Sequence, residues 1–320
     1  MEFNSLIKII RKKQGLSQNK VAEGIMSQSA YSKFESGVRA VSFEEFNKIT
    51  EKLKIKATDL NDVDNLENGE ISMIRSKLQL ALKDELPIYE LEQIYELTAR
   101  KRKKSLQLYR YYLYIQQHFH KHSDKIPQIS KKEIDDIFKQ LQNLKYWTNY
   151  YVQLIMDFST KFTPKQLCYF VEQLETYQVE IISPIDSNIL HLLPGTLSNI
   201  ADSLIDKAVS PDKIDHAVLS YAKRACIKLQ EVLKSRPSIE FELLLKLSNM
   251  RHAFFAAQTK KEKETALNNV KQYLQEIQLI AAIKTESNDQ LLSITDIIEN
   301  SLNNVIKRGL PGDDILYSTL

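Results

Sequence analysis

At 320 residues the chain is long enough for two domains, and a hydrophobic content of 43% suffices to bury a sizeable interior rather than leave the chain disordered. Only 7 Gly and 8 Pro punctuate it, while Leu, Ile, Lys, Gln and Glu are abundant, so the expected fold class is all-α. A formal net charge of +3 is too small to announce a nucleic-acid partner, and no window approaches the roughly 18 uncharged apolar residues of a membrane span.

The opening residues, MEFNSLIKIIRKKQG, carry an acid at position 2 and no small-residue cleavage site, unlike a secretory leader. Cys168 and Cys226 stand far apart without CxxC or Cys/His spacing and read as small core residues in a reducing cytoplasm. A cytoplasmic protein without a membrane partner is therefore expected. The positive charge is front-loaded, with seven bases against three acids in residues 1–39.

In chain order, Phe3, Leu6, Ile7, Ile9 and Ile10 give a first helix with one apolar side, ending where Gly15 suits a left-handed cap. Ser17 caps a second helix with Val21, Ala22 and Ile25 turned inward, Ser27 caps a third, and Gly37 ends it. Ser42 and Glu45 form a capping box for a fourth helix running through Phe43, Phe46, Ile49 and Leu53, and Thr58 begins a short fifth. This gives a five-helix module over 1–62, and the polar, acidic stretch NDVDNLENGE supplies a linker at 63–70. Longer amphipathic helices fill 71–308, with starts at SKKE (130–133) and TPKQ (163–166). A further start lies at SPDK, where Ser210 is the expected cap and Pro211 the first helical residue, followed by Ile214, Ala217, Val218, Tyr221, Ala225, Leu229 and Val232. Helices joined by such short breaks fit hairpins stacked into an α-solenoid, although no clean repeat consensus is present. Residues 309–320, with breakers at Gly309, Pro311 and Gly312, form a tail.

At 100° per residue, Tyr31 and Phe34 share one side of the third helix, while Gln28, Ser29, Ser32 and Lys33 cluster roughly 60° to 200° away. Such a face is a poor core and a good hydrogen-bonding edge for a major groove. Gln bonds adenine bidentately, Ser serves several base edges, and Lys reaches guanine or phosphate. Gln18, in the first turn of helix two, and Arg39, just past Gly37, are candidates for phosphate contacts, and Ser27 completes the candidate DNA-binding set.

The runs GLSQNKVAEGI and MSQSAYSKFESG resemble the helix-turn-helix of phage-repressor-like (Xre/Cro-type) regulators over residues 3 to about 60. The turn GIMSQS is about one residue shorter than the common form, which is similar to the peptide-pheromone-responsive regulators of the Rgg/MutR type and the related conjugative-plasmid repressors, the RRNPP superfamily. The resemblance implies an Arg11–Glu35 pair tying helix three to helix one, and a C-terminal tetratricopeptide-like α-solenoid. It further implies that the solenoid dimerises and holds a short apolar signalling peptide, so that the chain represses conjugative-transfer or quorum-sensing genes. An Rgg-like activator is equally compatible, and a helical-repeat interaction adaptor is the alternative from another class. Two-fold symmetry makes a homodimer on a palindromic double-stranded operator the expected complex, with a tetramer as the larger assembly. The residues that would hold the peptide are not legible.

Three other features have bland readings. RKRKK (100–104) is a solvated helix end in preference to a second DNA-backbone contact. His118 and His122 are spaced four apart but lack a carboxylate or HExxH partner, so no metal is assigned. The aromatic runs YRYYLY (109–114) and YWTNYY (146–151) are packing in preference to groove lining. No nucleophile elbow, P-loop or dinucleotide fingerprint appears, so no catalytic residue, cofactor or enzyme activity is assigned.

Overall fold

The computed structural model of the chain describes residues 3–55, 70–144, 147–177, 189–210, 213–282 and 289–308. The expected fifth helix at Thr58, the linker residues 63–69, Pro211 and the tail 309–320 lie outside the described residues. The described elements are helical throughout, apart from an isolated antiparallel bridge between Val209 and Ile214. By packing, the chain divides into two compact units, Met1–Gln128 and Ile129–Thr319.

The first unit opens with α1 (Phe3–Lys13), α2 (Gln18–Ala22), α3 (Gln28–Glu35) and α4 (Phe43–Lys52). Gly15 and Gly37 end α1 and α3 with φ of 68° and 78°, a region that costs glycine nothing and other residues strain. The Ser42–Glu45 capping box is formed in both directions. Leu6 and Ile7 of α1, Val21 and Ala22 of α2, Tyr31 and Phe34 of α3, and Ile49 and Leu53 close one apolar core. Fully burying each large side chain contributes on the order of 1.5–3 kcal/mol before ordering costs, enough for so small a bundle to fix its helices. Phe43, the first of the apolar positions along this helix, is 79% exposed. It is the first residue of α4, and its ring lies against Phe46 at 6.5 Å without reaching the core.

The same unit continues with α5 (Glu70–Leu82), α6 (Ile88–Lys101) and α7 (Leu106–Phe119). Ile74 and Leu78 of α5, Leu91 and Ile94 of α6, and Leu108, Tyr111, Tyr114, Ile115 and Phe119 of α7 build a core separate from that of the first four helices. Lys101 at the end of α6 donates to both carboxylate oxygens of Glu70, at 2.6 and 2.7 Å, fixing the start of α5.

The second unit comprises α8 (Lys131–Asn143), α9 (Asn149–Phe158), a 3-10 turn (Ser159–Lys161), α10 (Pro164–Glu175), α11 (Leu193–Ala208), α12 (His216–Ser235), α13 (Ile239–Ala256), α14 (Lys260–Ala282) and α15 (Asp289–Arg308). Capping boxes at Ser130 with Glu133 and at Thr163 with Gln166 start α8 and α10 where the sequence places them. From α9 onward, most helices pack on the next and on the next but one, the pattern of stacked helical pairs. This gives the expected all-α architecture of a small helical bundle followed by a helical-repeat region.

Buried on nearly every side, α11 is the centre of the second unit, and even Thr196, Ser198, Asn199, Asp202 and Ser203 are withdrawn from solvent. Such a helix can find partners for its polar groups only within the protein, and among the described residues the Ser198 and Ser203 hydroxyls find none. Asn199 donates to the Met156 carbonyl at 2.9 Å, while Asp202 accepts from Ser248 Oγ at 2.9 Å and from Arg251 Nη1 at 3.0 Å. The other terminal nitrogen of Arg251 pairs with Asp206. Burial pushes the Asp202 carboxyl above the usual range, and the adjacent Arg251 charge only partly opposes it. Trp147 is also buried, donating from Nε1 to the Leu141 carbonyl at 3.0 Å and meeting Phe170 edge-on at 5.7 Å.

Several sequence expectations fail here. Ser210 does not cap α12, because Asp215 does, accepting from Ala217 and Val218 N–H at 3.1 Å. Ser210 Oγ instead closes a turn by accepting from Lys213 N–H, beside the Val209–Ile214 bridge that keeps Ile214 out of the helix. The buried face of α12 accordingly runs through Leu219, Ala222, Ala225, Cys226, Leu229 and Val232, leaving Ala217 exposed. Cys226 is a core residue, its thiol pushed up to about 12 by burial, but Cys168 is only half-buried.

Candidate nucleic-acid interface

The site begins with two serine caps. Ser17 Oγ accepts from Lys20 N–H at 3.2 Å and Ser27 Oγ from Ala30 N–H at 3.1 Å, so each helix starts at a fixed residue. Between them the chain turns within Glu23–Met26, where Ile25 and Met26 N–H both donate to the Ala22 carbonyl. From α4, Lys52 Nζ reaches the Glu23 carbonyl at 2.5 Å and the Lys20 carbonyl at 3.3 Å, placing a cation at the end of α2 where the helix dipole favours one. Gln14 Nε2 donates to the Leu53 carbonyl at 2.7 Å, tying the end of α1 to α4. These two braces span 29 to 39 residues of sequence, and nothing local in the chain signals them.

On that frame α3 turns Tyr31 and Phe34 into the core, leaves Gln28, Ser29 and Lys33 exposed and Ser32 half-exposed, and sets Ser27 at the solvent-facing cap. The outward polar face is therefore real. Arg11 and Glu35 meet as the resemblance implies: Nε donates to Oε1 at 2.6 Å and Nη2 to Oε2 at 2.9 Å, while Nη1 donates to the Leu16 carbonyl at 2.6 Å. Burial alone would raise the Glu35 carboxyl, but the hydrogen bonds from Arg11 and Gln18 outweigh it and hold the group below its ordinary value.

Gln18 sits differently from the simple phosphate contact expected of it. Its Nε2 donates to Glu35 Oε2 at 2.8 Å, and its Oε1 accepts from Gln28 Nε2 at 2.9 Å. The buried pair is thereby wired through Gln18 to the exposed first residue of α3. Arg39 is also engaged, donating to Glu45 Oε1 at 2.9 Å and leaning on Met26 Sδ, yet it stays partly exposed.

Residues 7–60 match the family model described as Helix-turn-helix. The amino-terminal module is a helix-turn-helix domain. No curated protein sequence matches the chain. Solved structures match it along nearly its whole length. The SHP pheromone receptor Rgg2 of Streptococcus dysgalactiae is 13% identical with a TM-score of 0.64, covering 97% of this chain and 100% of that one. PrgX in a PrgX/iCF10 complex is 15% identical with a TM-score of 0.56, covering 98% and 99%, and in a PrgX/cCF10 complex 16% identical with a TM-score of 0.51, covering 93% of each. At such identities the likeness is one of fold: a helix-turn-helix domain followed by a helical-repeat region of the Rgg and PrgX kind.

Beyond the helix-turn-helix domain, the second unit has a groove of about 700 Å³ between α8, α10 and α12. Phe138, Tyr169 and Tyr221 are among its walls, Asp135 and Glu172 supply carboxylates, and Cys168 lies at its side. Tyr221 donates to Glu172 at 2.6 Å, and Gln166 donates to Asp135 at 3.1 Å. Arg224 forks onto Glu175 while stacking over the Tyr221 ring at 4.3 Å. The expected packing of the aromatic runs holds for Tyr111, Tyr112, Tyr114 and Trp147, all buried. His118 lies against Tyr114 with ring centroids 4.2 Å apart and the rings tilted by 33°, and His122 meets Phe119 edge-on. Among the described residues no His, Cys, Asp and Glu group is placed to hold a metal, and no helix is long and apolar enough to cross a membrane.

Proposed function

We propose that the protein is a cytoplasmic, sequence-specific DNA-binding transcription regulator, without enzymatic activity, that binds a palindromic operator as a homodimer. The observation that carries this reading is the outward face of α3, held by two caps, a buried ion pair and Lys52 so that Gln28, Ser29, Ser32 and Lys33 enter a major groove as one rigid edge. In it Gln28 reads a base, Ser29 and Ser32 contact base edges or sugar-phosphate, and Ser27, Lys33 and Arg39 hold phosphates, Arg39 by exchanging part of its Glu45 contact. Gln18 orients Gln28 and contacts phosphate only through its remaining amide hydrogen.

Residues 1–62 are the DNA-binding domain in this reading, and 71–308 dimerise and receive a short, apolar signalling peptide. The groove of α8, α10 and α12 suits such a ligand, with aromatic walls for side chains and carboxylate and carboxamide groups for the peptide backbone. The fold shared with Rgg2 and PrgX supports the assignment, since Rgg2 is a pheromone receptor. Control follows if peptide stabilises one dimer or tetramer arrangement over another. Repression of conjugative-transfer or quorum-sensing genes is the output that fits best. DNA selected from a random pool by the full-length protein, then titrated against salt, tests the reading. A palindrome bound with a steep salt slope supports it, and indifference to every duplex at low ionic strength refutes it.

A further inference from the structure

Charge is divided unevenly between the two units. Residues 1–128 hold 22 Lys and Arg against 17 Asp and Glu, a surplus of five, whereas the remaining chain has 22 against 24. Part of that surplus is concentrated outside the helix-turn-helix domain. Between Glu96 and Asp124 the chain has no acidic residue at all but carries Arg100, Lys101, Arg102, Lys103, Lys104, Arg110 and Lys121. Five of these fall in succession, Arg100 and Lys101 at the end of α6 and Arg102, Lys103 and Lys104 on the turn to α7.

The structure divides those five by role. Lys101 is neutralised by Glu70, and Arg102 lies over the Tyr112 ring at 4.8 Å while donating to the Ala99 carbonyl at 3.0 Å. Both are scaffold, and Lys104 N–H closes the turn onto the Lys101 carbonyl at 2.8 Å. Arg100, Lys103 and Lys104 are exposed, and among the described residues no carboxylate pairs with them. The negative end of α6 accounts for cations in its last turn, but not for two further lysines beyond it. A run of like charges on a pinned turn repels itself, and an anionic surface relieves that repulsion beyond what water and mobile counterions do.

We propose that this turn is a second nucleic-acid contact, in which Arg100, Lys103 and Lys104 grip backbone phosphates of the duplex read by α3. The inference rests on the DNA-binding reading above. Duplex DNA is the partner because the turn belongs to the same compact unit as the helix-turn-helix domain, and because the three exposed cations offer the sequence-independent charge that backbone phosphates take.

The test uses the full-length protein and its selected operator, comparing wild type with an Arg100→Ala, Lys103→Ala, Lys104→Ala variant that leaves Lys101 and Arg102 in place. Expected is weaker binding to operator and scrambled duplex alike, unchanged base preference, and a salt slope reduced by about one for each phosphate no longer gripped. A Lys103→Arg, Lys104→Arg variant with Arg100 retained should keep wild-type slope and affinity, which separates lost charge from misfolding. A triple variant with wild-type slope and affinity, while Gln28→Ala still alters base preference, overturns the role of this turn and leaves the DNA reading intact. Wild-type protein that binds no duplex overturns both.

Discussion

Gln28 donates to the Gln18 carboxamide oxygen at 2.9 Å, and Gln18 donates in turn to Glu35, so the proposed base reader is held through one intermediary by the buried Arg11–Glu35 pair. A side chain fixed before DNA arrives loses less rotamer freedom on binding, and its amide is presented in one orientation. Gln18→Ala should therefore weaken discrimination at the same base position as Gln28→Ala, by less than the roughly 1–3 kcal/mol that a bidentate base pairing is worth. Competition with duplexes substituted one base pair at a time checks this. Uniform weakening across all sequences would instead make Gln18 a phosphate contact alone.

Arg11→Ala leaves a carboxylate, 2% exposed, without its main partner. A loss of about 3–5 kcal/mol is expected, because an unpaired buried charge costs more than the pair contributes. Urea unfolding followed by far-ultraviolet circular dichroism measures it. The Arg11→Ala, Glu35→Gln double variant should recover part of the loss.

The pH dependence of the same pair has a definite sign. Glu35 is held below its ordinary value of 4.5, so its contribution is fully present above that value and is lost as pH falls through the lower, folded one. Wild type should therefore lose stability more steeply than Glu35→Gln below about pH 4.5, and the two should run parallel between pH 5 and 7. Parallel curves throughout would show that the carboxylate is not stabilised by folding.

In the second unit, Arg251→Met removes the cation shared by Asp202 and Asp206, with an expected cost of about 3–5 kcal/mol near neutrality. Here the sign is opposite. A carboxyl raised by burial carries a penalty that is full above its folded value and vanishes below its unfolded one, so the deficit of the variant should shrink as pH falls. Denaturant midpoints at pH 7 and pH 4.5 provide the comparison.

Asp215→Ala should cost about 1 kcal/mol, the usual worth of an N-cap, and Ser210→Ala clearly less. Equal losses would mean that the turn before α12 contributes as much as the cap itself.

Those two residues also show where sequence reasoning stops. Caps at Ser17, Ser27, Ser42, Ser130 and Thr163 are settled by chemistry within four residues, and each starts its helix as read. Before α12 two acceptors compete within six residues, and the choice is made by a backbone bridge between Val209 and Ile214 that no helical periodicity encodes. The polar face of α3 was legible because 100° per residue separates Gln28 and Ser29 from Tyr31. The orientation of the Gln18 amide was not, since Glu35, 17 residues on, decides it. The Asp202–Arg251 contact spans 49 residues and exists only because α11 and α13 pack together.

Trp147 is the chain's single tryptophan and is enclosed in the second unit against Phe170. Indole emission is consequently a private reporter of that unit, since Met1–Gln128 contains tyrosine and phenylalanine but nothing that fluoresces at the red edge of excitation. Melting traces recorded by this signal and by total helicity will coincide only when both halves of the molecule come apart as one.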